Sequence, residues 1–104
     1  MLNTLIFIKK GRKLFMIESL EILTSSTNQE IIPEKFINKN NYVSPAINNL
    51  TLAVDTDTNI YINKNETPVA VKAKYGLEIP QNTMEIKSIV VQDPGVNVYM
   101  IYSY

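Results

Sequence analysis

From Met84 to Tyr104 apolar and polar positions alternate in two runs, separated by Gln92-Asp93-Pro94-Gly95. Strand side chains alternate with period two, so Met84 to Val91 and Val96 to Tyr104 each predict a β-strand. In the second run Val96, Val98, Met100, Tyr102 and Tyr104 share one face. The other face carries Asn97, Tyr99, Ile101 and Ser103 and is itself half apolar. A strand of this kind suits a sandwich core with a covered outer surface. Asp93-Pro94-Gly95 supplies a turn acceptor, a preset φ and a free positive φ, which favours a type I or II turn. Those turns twist unfavourably for a tight two-residue hairpin. The pattern therefore predicts a closing hairpin with a connection of about four residues.

The rest of the chain repeats the pattern in shorter units. Met16 to Leu23 fits either a strand, by Met16, Leu20 and Ile22, or a helix, by Ile17, Leu20 and Leu23; the strand-like remainder favours the strand, ended by Thr24-Ser25-Ser26-Thr27-Asn28. Pro33 lacks an N–H, so Glu30 to Ile37 belongs at an edge or outside a ladder. Asn38 to Asn41 reads as a polar loop, and Tyr42 to Asn49 as extended and irregular. Leu50 to Val54 alternates with Leu50, Leu52 and Val54 inward, and Asp55-Thr56-Asp57 turns the chain. Thr58 to Asn63 follows with Ile60 and Ile62 inward, then a turn at Asn63-Lys64-Asn65-Glu66, where Asn tolerates the left-handed region. Pro68 to Ala73 places Val69, Val71 and Ala73 on one face. Gly76 breaks the run before Leu77 to Pro80. Short strands at this spacing, with turn signals between them, predict one small all-β domain: an antiparallel β-sandwich, jelly-roll or Ig-like.

Composition narrows the chemistry. The 104 residues include no Cys, His or Trp. Within this chain that excludes disulfides, zinc–thiolate sites and any nucleophile activated by His. The expectation is a chain that is not an enzyme and holds no cofactor.

Net charge is zero, with ten bases and ten acids, but Lys9, Lys10, Arg12 and Lys13 all fall in the first fifteen residues. The remainder carries six bases against ten acids, a net of −4. An acidic body argues against a nucleic-acid partner. Leu5 to Ile8 is far too short to span a membrane, and its charges follow the apolar run, the reverse of a signal peptide. Lys10-Gly11-Arg12-Lys13 can be encoded as a ribosome-binding site just upstream of Met16. Residues 1–15 are therefore expected to be a leader or a disordered arm, and 16–104 the domain.

Three constellations bear on function. Asp55, Asp57, Asn59 and Glu66 match positions one, three, five and twelve of a calcium loop. Ile60 stands where that loop needs Gly, and the flanks read as strands, so an Asx-rich turn is the expected reading. Glu18 and Glu21 could be a carboxylate pair, but a solvated face is the simpler reading. Tyr61, Tyr75, Tyr99, Tyr102 and Tyr104 combine broad apolar faces with polar tips, suiting sugars, a partner or cross-strand packing. Tyr99 and Ile101 on the outer face, with Tyr104 at the strand end, are the expected interface.

The run from Thr58 to Tyr104 carries a family resemblance. Its landmarks are Asn59-Ile60-Tyr61-Ile62-Asn63, Val69-Ala70-Val71-Lys72-Ala73, Ile86-Lys87-Ser88-Ile89-Val90-Val91, the Pro94-Gly95 turn and the closing Val98-Tyr99-Met100-Ile101-Tyr102-Ser103-Tyr104. This texture, over about the last half of the chain, resembles small bacteriophage virion proteins: capsid decoration proteins, head-fibre proteins and baseplate or fibre modules. The resemblance implies a structural role in the virion, with self-association into a closed oligomer such as a trimer, or docking on other virion proteins. The alternative is a carbohydrate- or receptor-binding sandwich that uses exposed Tyr and Asn.

Overall fold

The computed structural model describes residues 2–10, 13–37 and 46–104, with side chains from residue 16 onward. Among the described residues nine strands form two antiparallel sheets, with one short 3-10 turn outside them. The first sheet contains β1 (Leu2–Lys10), β2 (Lys13–Leu23), β9 (Asn97–Ser103), β4 (Asn49–Val54) and β7 (Leu77–Ile79), in that order. The second contains β3 (Gln29–Glu30), β8 (Ile89–Val91), β5 (Thr58–Ile62) and β6 (Val69–Val71). The 3-10 turn η1 (Glu34–Phe36) follows Pro33, which lies outside the ladder as its missing N–H requires. The expected polar loop at 38–41 and the extended stretch at 42–45 lie outside the described residues. Residues 1–15, expected outside the fold, include the backbone of β1, which pairs antiparallel with β2. Translation from Met16 is a proposal about the gene, and the mass of the N-terminal peptide reads it.

The order of strands follows from how the chain crosses between sheets. β2 leads to β3, β4 to β5, β6 to β7 and β8 to β9, and every one of these steps changes sheet. Apart from β1, the first sheet runs β2-β9-β4-β7 and the second β3-β8-β5-β6. Each of these four crossings joins strands at the same place in the two orders, while β3 to β4 and β7 to β8 also change sheet but join different places; together this is the arrangement of a jelly roll. An Ig-like sandwich would join more successive strands as hairpins within one sheet. Here only β1–β2 and β5–β6 do so.

This corrects the expected closing hairpin. β8 and β9 do not pair with each other. β9 lies between β2 and β4, and β8 between β3 and β5. The connection over 92–96 is drawn across the end of the sandwich by Thr24. Its Oγ1 donates to the Asp93 carbonyl and accepts from the Val96 N–H, each at 2.8 Å, while its own carbonyl accepts from the Gly95 N–H at 2.7 Å. Two other crossings are tied at the same end. Asp55 accepts from the Asn97 N–H at 2.9 Å and Asp57 from the Ala73 N–H at 2.8 Å. Alternation cannot tell an arch from a hairpin, because either one turns an apolar face inward.

The strand expected over Met84 to Val91 is also shorter. Ile86 makes a single bridge to Ile47, and the Asn63 side chain takes the Lys87 and Ser88 N–H groups that a ladder would otherwise use. On β6 only Val71 is buried, while Val69 and Ala73 are exposed. The core between the sheets is built from Leu50, Leu52 and Val54, Ile60 and Ile62, Ile89 and Val91, and Val98, Met100 and Tyr102.

Gly76 closes the β6–β7 arch at φ +66°, and a Cβ there would stand 2.5 Å from the Leu52 carbonyl oxygen. Gly95 has φ +75° but faces open space. Left-handed backbone costs a non-Gly residue about 1–2 kcal/mol, and a forced clash adds about 1–3 kcal/mol. Gly76→Ala is therefore expected to lose about 3 kcal/mol in urea unfolding, and Gly95→Ala about 1 kcal/mol. Equal losses would contradict the close approach to β4.

Candidate functional site

Period two turns Tyr99 and Ile101 outward from the middle of the first sheet. They are 42% and 43% exposed. Their cross-strand neighbours are small or polar: Ser19 and Thr51 flank Ile101, and Glu21 and Ala53 flank Tyr99. Leu23, opposite Asn97, adds an exposed apolar side chain at one end of this face. Asn97 Nδ2 donates to Glu21 Oε1 at 3.2 Å. Tyr99 and Ile101 thus stand out from a low, mostly uncharged surface on a strand that is itself central.

Tyr104 lies elsewhere. It shares the inward side of β9 with Tyr102 and joins a cluster at the end of the sandwich away from the four arches. Its hydroxyl donates to Glu18 Oε1 at 2.5 Å and accepts from Lys35 Nζ at 2.6 Å. Tyr102 donates to Glu18 Oε2 at 2.9 Å, and Lys35 Nζ pairs with Glu18 Oε1. Phe36 packs edge-on against both tyrosines, with centroids 5.7 Å from Tyr102 and 4.9 Å from Tyr104. Of the three residues expected at an interface, Tyr99 and Ile101 come together and Tyr104 does not join them.

The same cluster corrects the reading of Glu18 as a solvated charge. Glu18 and Glu21 are three apart on one strand, so they face opposite ways. Glu21 lies on the outer face, and Glu18 is 3% exposed. Burial works to raise the Glu18 carboxyl, but donation from Lys35, Tyr104 and Tyr102 outweighs it and holds the group below its ordinary value. Burial likewise works against the Lys35 charge, and Glu18 and Tyr104 outweigh it, raising that group. Burial and then the Glu18 carboxylate push both tyrosine hydroxyls up. The signal was present in the sequence: Glu18 stands in the inward row with Leu20 and Ile22. Lys35 had no such signal, because η1 is too short to show a period.

The calcium spacing is pulled apart by the fold. Asp55 and Asp57 sit in the β4–β5 arch and accept backbone N–H groups, and Asn59 Nδ2 donates to Gln92. Glu66 lies beyond the far end of β5, a five-residue strand that spans roughly 17 Å. Among the described residues no three acidic side chains come together as a metal cluster. The tyrosines also separate. Tyr61 is half-buried on the outer face of the second sheet, and Tyr75 is exposed in the β6–β7 arch.

A third feature leaves no mark in the sequence pattern. A cleft of about 660 Å³ opens on the outer face of the second sheet, between β3, β8 and the β5–β6 turn. Glu30, Asn63, Lys64, Glu85, Lys87 and Ser88 supply its polar lining, and Ile37 and Val90 its apolar lining. Comparison with protein-family models, with curated proteins and with solved structures gave no match.

Proposed function

We propose that this chain is a non-enzymatic structural protein of a bacteriophage virion. It decorates or stabilises the capsid, or forms part of a fibre or baseplate, and it self-associates through the outer face of its first sheet. The observation that carries the reading is the pair Tyr99 and Ile101, over two-fifths exposed on a central strand among small or polar neighbours. An aromatic and a branched aliphatic projecting from the middle of such a face are the anchors that protein interfaces use. Small residues beside them let a second backbone approach closely. The jelly-roll order and the resemblance of the C-terminal half support the same class, by analogy of fold and texture.

The test replaces both anchors. Tyr99→Ser with Ile101→Ser is expected to weaken self-association about 100-fold, since each buried anchor contributes about 1–2 kcal/mol. Both side chains are already half in water, so the stability of the dissociated chain, read at concentrations too low for association, should move by less than about 1 kcal/mol. Sedimentation equilibrium over a concentration series reads the first effect and urea unfolding the second. Association that survives the double change sinks this interface.

A further inference from the structure

We propose that the cleft on the second sheet is a binding site for a neutral saccharide. It lies on the sheet opposite the association face, so it does not depend on how copies of the chain assemble. Its volume of about 660 Å³ falls within the range of small-molecule sites, about 300–1,000 Å³.

Two polar groups in the cleft are fixed before any ligand arrives. Glu30 is oriented by Ser88 Oγ, which donates to Oε1 at 2.5 Å, and by the Ile89 and Ile32 N–H groups, which donate to Oε2 at 2.8 and 3.2 Å. A carboxylate has about four lone-pair positions, so three donors leave it able to accept from a hydroxyl. Asn63 is oriented in the same manner. Its Nδ2 donates to the Glu85 carbonyl at 2.7 Å, and its Oδ1 accepts from the Lys87 and Ser88 N–H groups. Asn63 and Lys64 both hold positive φ, at 52° and 59°, which folds the β5–β6 turn back beside the cleft. Polar groups already held in place lose little entropy on binding.

The charges select the class of ligand. The lining holds two carboxylates, Glu30 and Glu85, and two amines, Lys64 and Lys87. They balance, so the cleft favours neither an anion nor a cation. The lining combines carboxylate and amide acceptors with amine and amide donors, which suits hydroxyls that both donate and accept. Val90 and Ile37 supply an apolar wall, and Tyr61 is the register partner of Val90 on β5. A sugar ring has the same division, with hydroxyls at its rim and C–H groups on its face.

The experiment is an amide NMR titration of the full chain with glucose, galactose, N-acetylglucosamine and glucuronic acid. At least one neutral sugar is expected to shift the amides of Asn63, Lys64, Ser88 and Val90, with a dissociation constant on the order of 1 mM. Glucuronic acid should bind more weakly than the neutral sugar. Val90→Tyr fills the cleft from an outer-face position and should weaken binding by about tenfold or more. Lys64→Gln, on an exposed turn, should weaken it about threefold with unfolding unchanged. The proposal is overturned if no neutral sugar moves these amides at saturating concentration. It is also overturned if Val90→Tyr, shown to be folded by its amide spectrum, binds as the parent does, or if glucuronic acid binds most tightly.

Discussion

Glu18→Ala is expected to lose about 3 kcal/mol of stability, which for a chain of this size lowers the thermal midpoint by roughly 15 °C. The loss has two parts. Tyr102 is 1% exposed, and without Glu18 its hydroxyl loses the acceptor shown for it, at about 1–3 kcal/mol. The ion pair adds less than a fully buried one would. The Lys35 side chain is 43% exposed, so solvent screens it and its share is about 1 kcal/mol or below. Lys35→Met is accordingly expected to cost much less than Glu18→Ala. Urea unfolding of the two variants and their combination measures the coupling. Equal losses would show that the ion pair, rather than the tyrosine acceptor, carries the effect.

The pH dependence follows from the same group. The Glu18 carboxyl is lowered in the folded chain, from an ordinary value near 4.5. Its contribution is therefore present above that value and is lost as pH falls through the folded one. Lys35, Tyr102 and Tyr104 are raised, so their contributions are complete below about pH 10 and are lost as pH rises through their folded values. The cluster thus stabilises on a plateau from roughly pH 5 to 10, and Glu18→Gln should flatten its acid limb.

Phe36→Ala is the other large loss, about 3–5 kcal/mol for an aromatic with no exposed surface. Phe36 sits on η1, a turn of three residues with no side-chain cap, and its packing adds to the Phe36-to-Pro33 and Ile37-to-Glu34 backbone hydrogen bonds and the Lys35–Glu18 pair that hold the turn. The ring meets Tyr102 and Tyr104 at 84° and 85°, and edge-to-face pairs contribute about 0.5–1.5 kcal/mol beyond their buried area. Truncation would also loosen Lys35, the preceding residue on the turn, from Glu18. Phe36→Ala and Glu18→Ala should therefore destabilise less together than their sum. Strict additivity in urea unfolding would contradict the shared cluster. Phe36→Leu should retain about half of the loss as packing.

Period two made the strands legible, and with them the fold class. The inward rows of β4, β5 and β9 lie where alternation puts them. The outward placing of Tyr99 and Ile101 followed from the same rule. The partner of each strand was not legible. An arch and a hairpin share one hydrophobic pattern, and the choice rests on contacts such as Thr24 with Val96, 72 residues apart. Parity puts Tyr104 in the row of Tyr102 and the buried Glu18, away from the outer-face pair it is expected to join. The cleft was hidden for a similar reason. Glu30, Asn63 and Ser88 come from three separate segments and meet only once β3 and β5 flank β8.

Light scattering on a size-exclusion column tests the assembly reading most directly. The full chain and its Tyr99→Ser, Ile101→Ser variant are run side by side over a range of concentrations. The account predicts a closed oligomer, a trimer among the candidates, for the parent chain and a monomer for the variant. A parent chain that stays monomeric at the highest concentration, or a variant of the same mass as its parent, would contradict it.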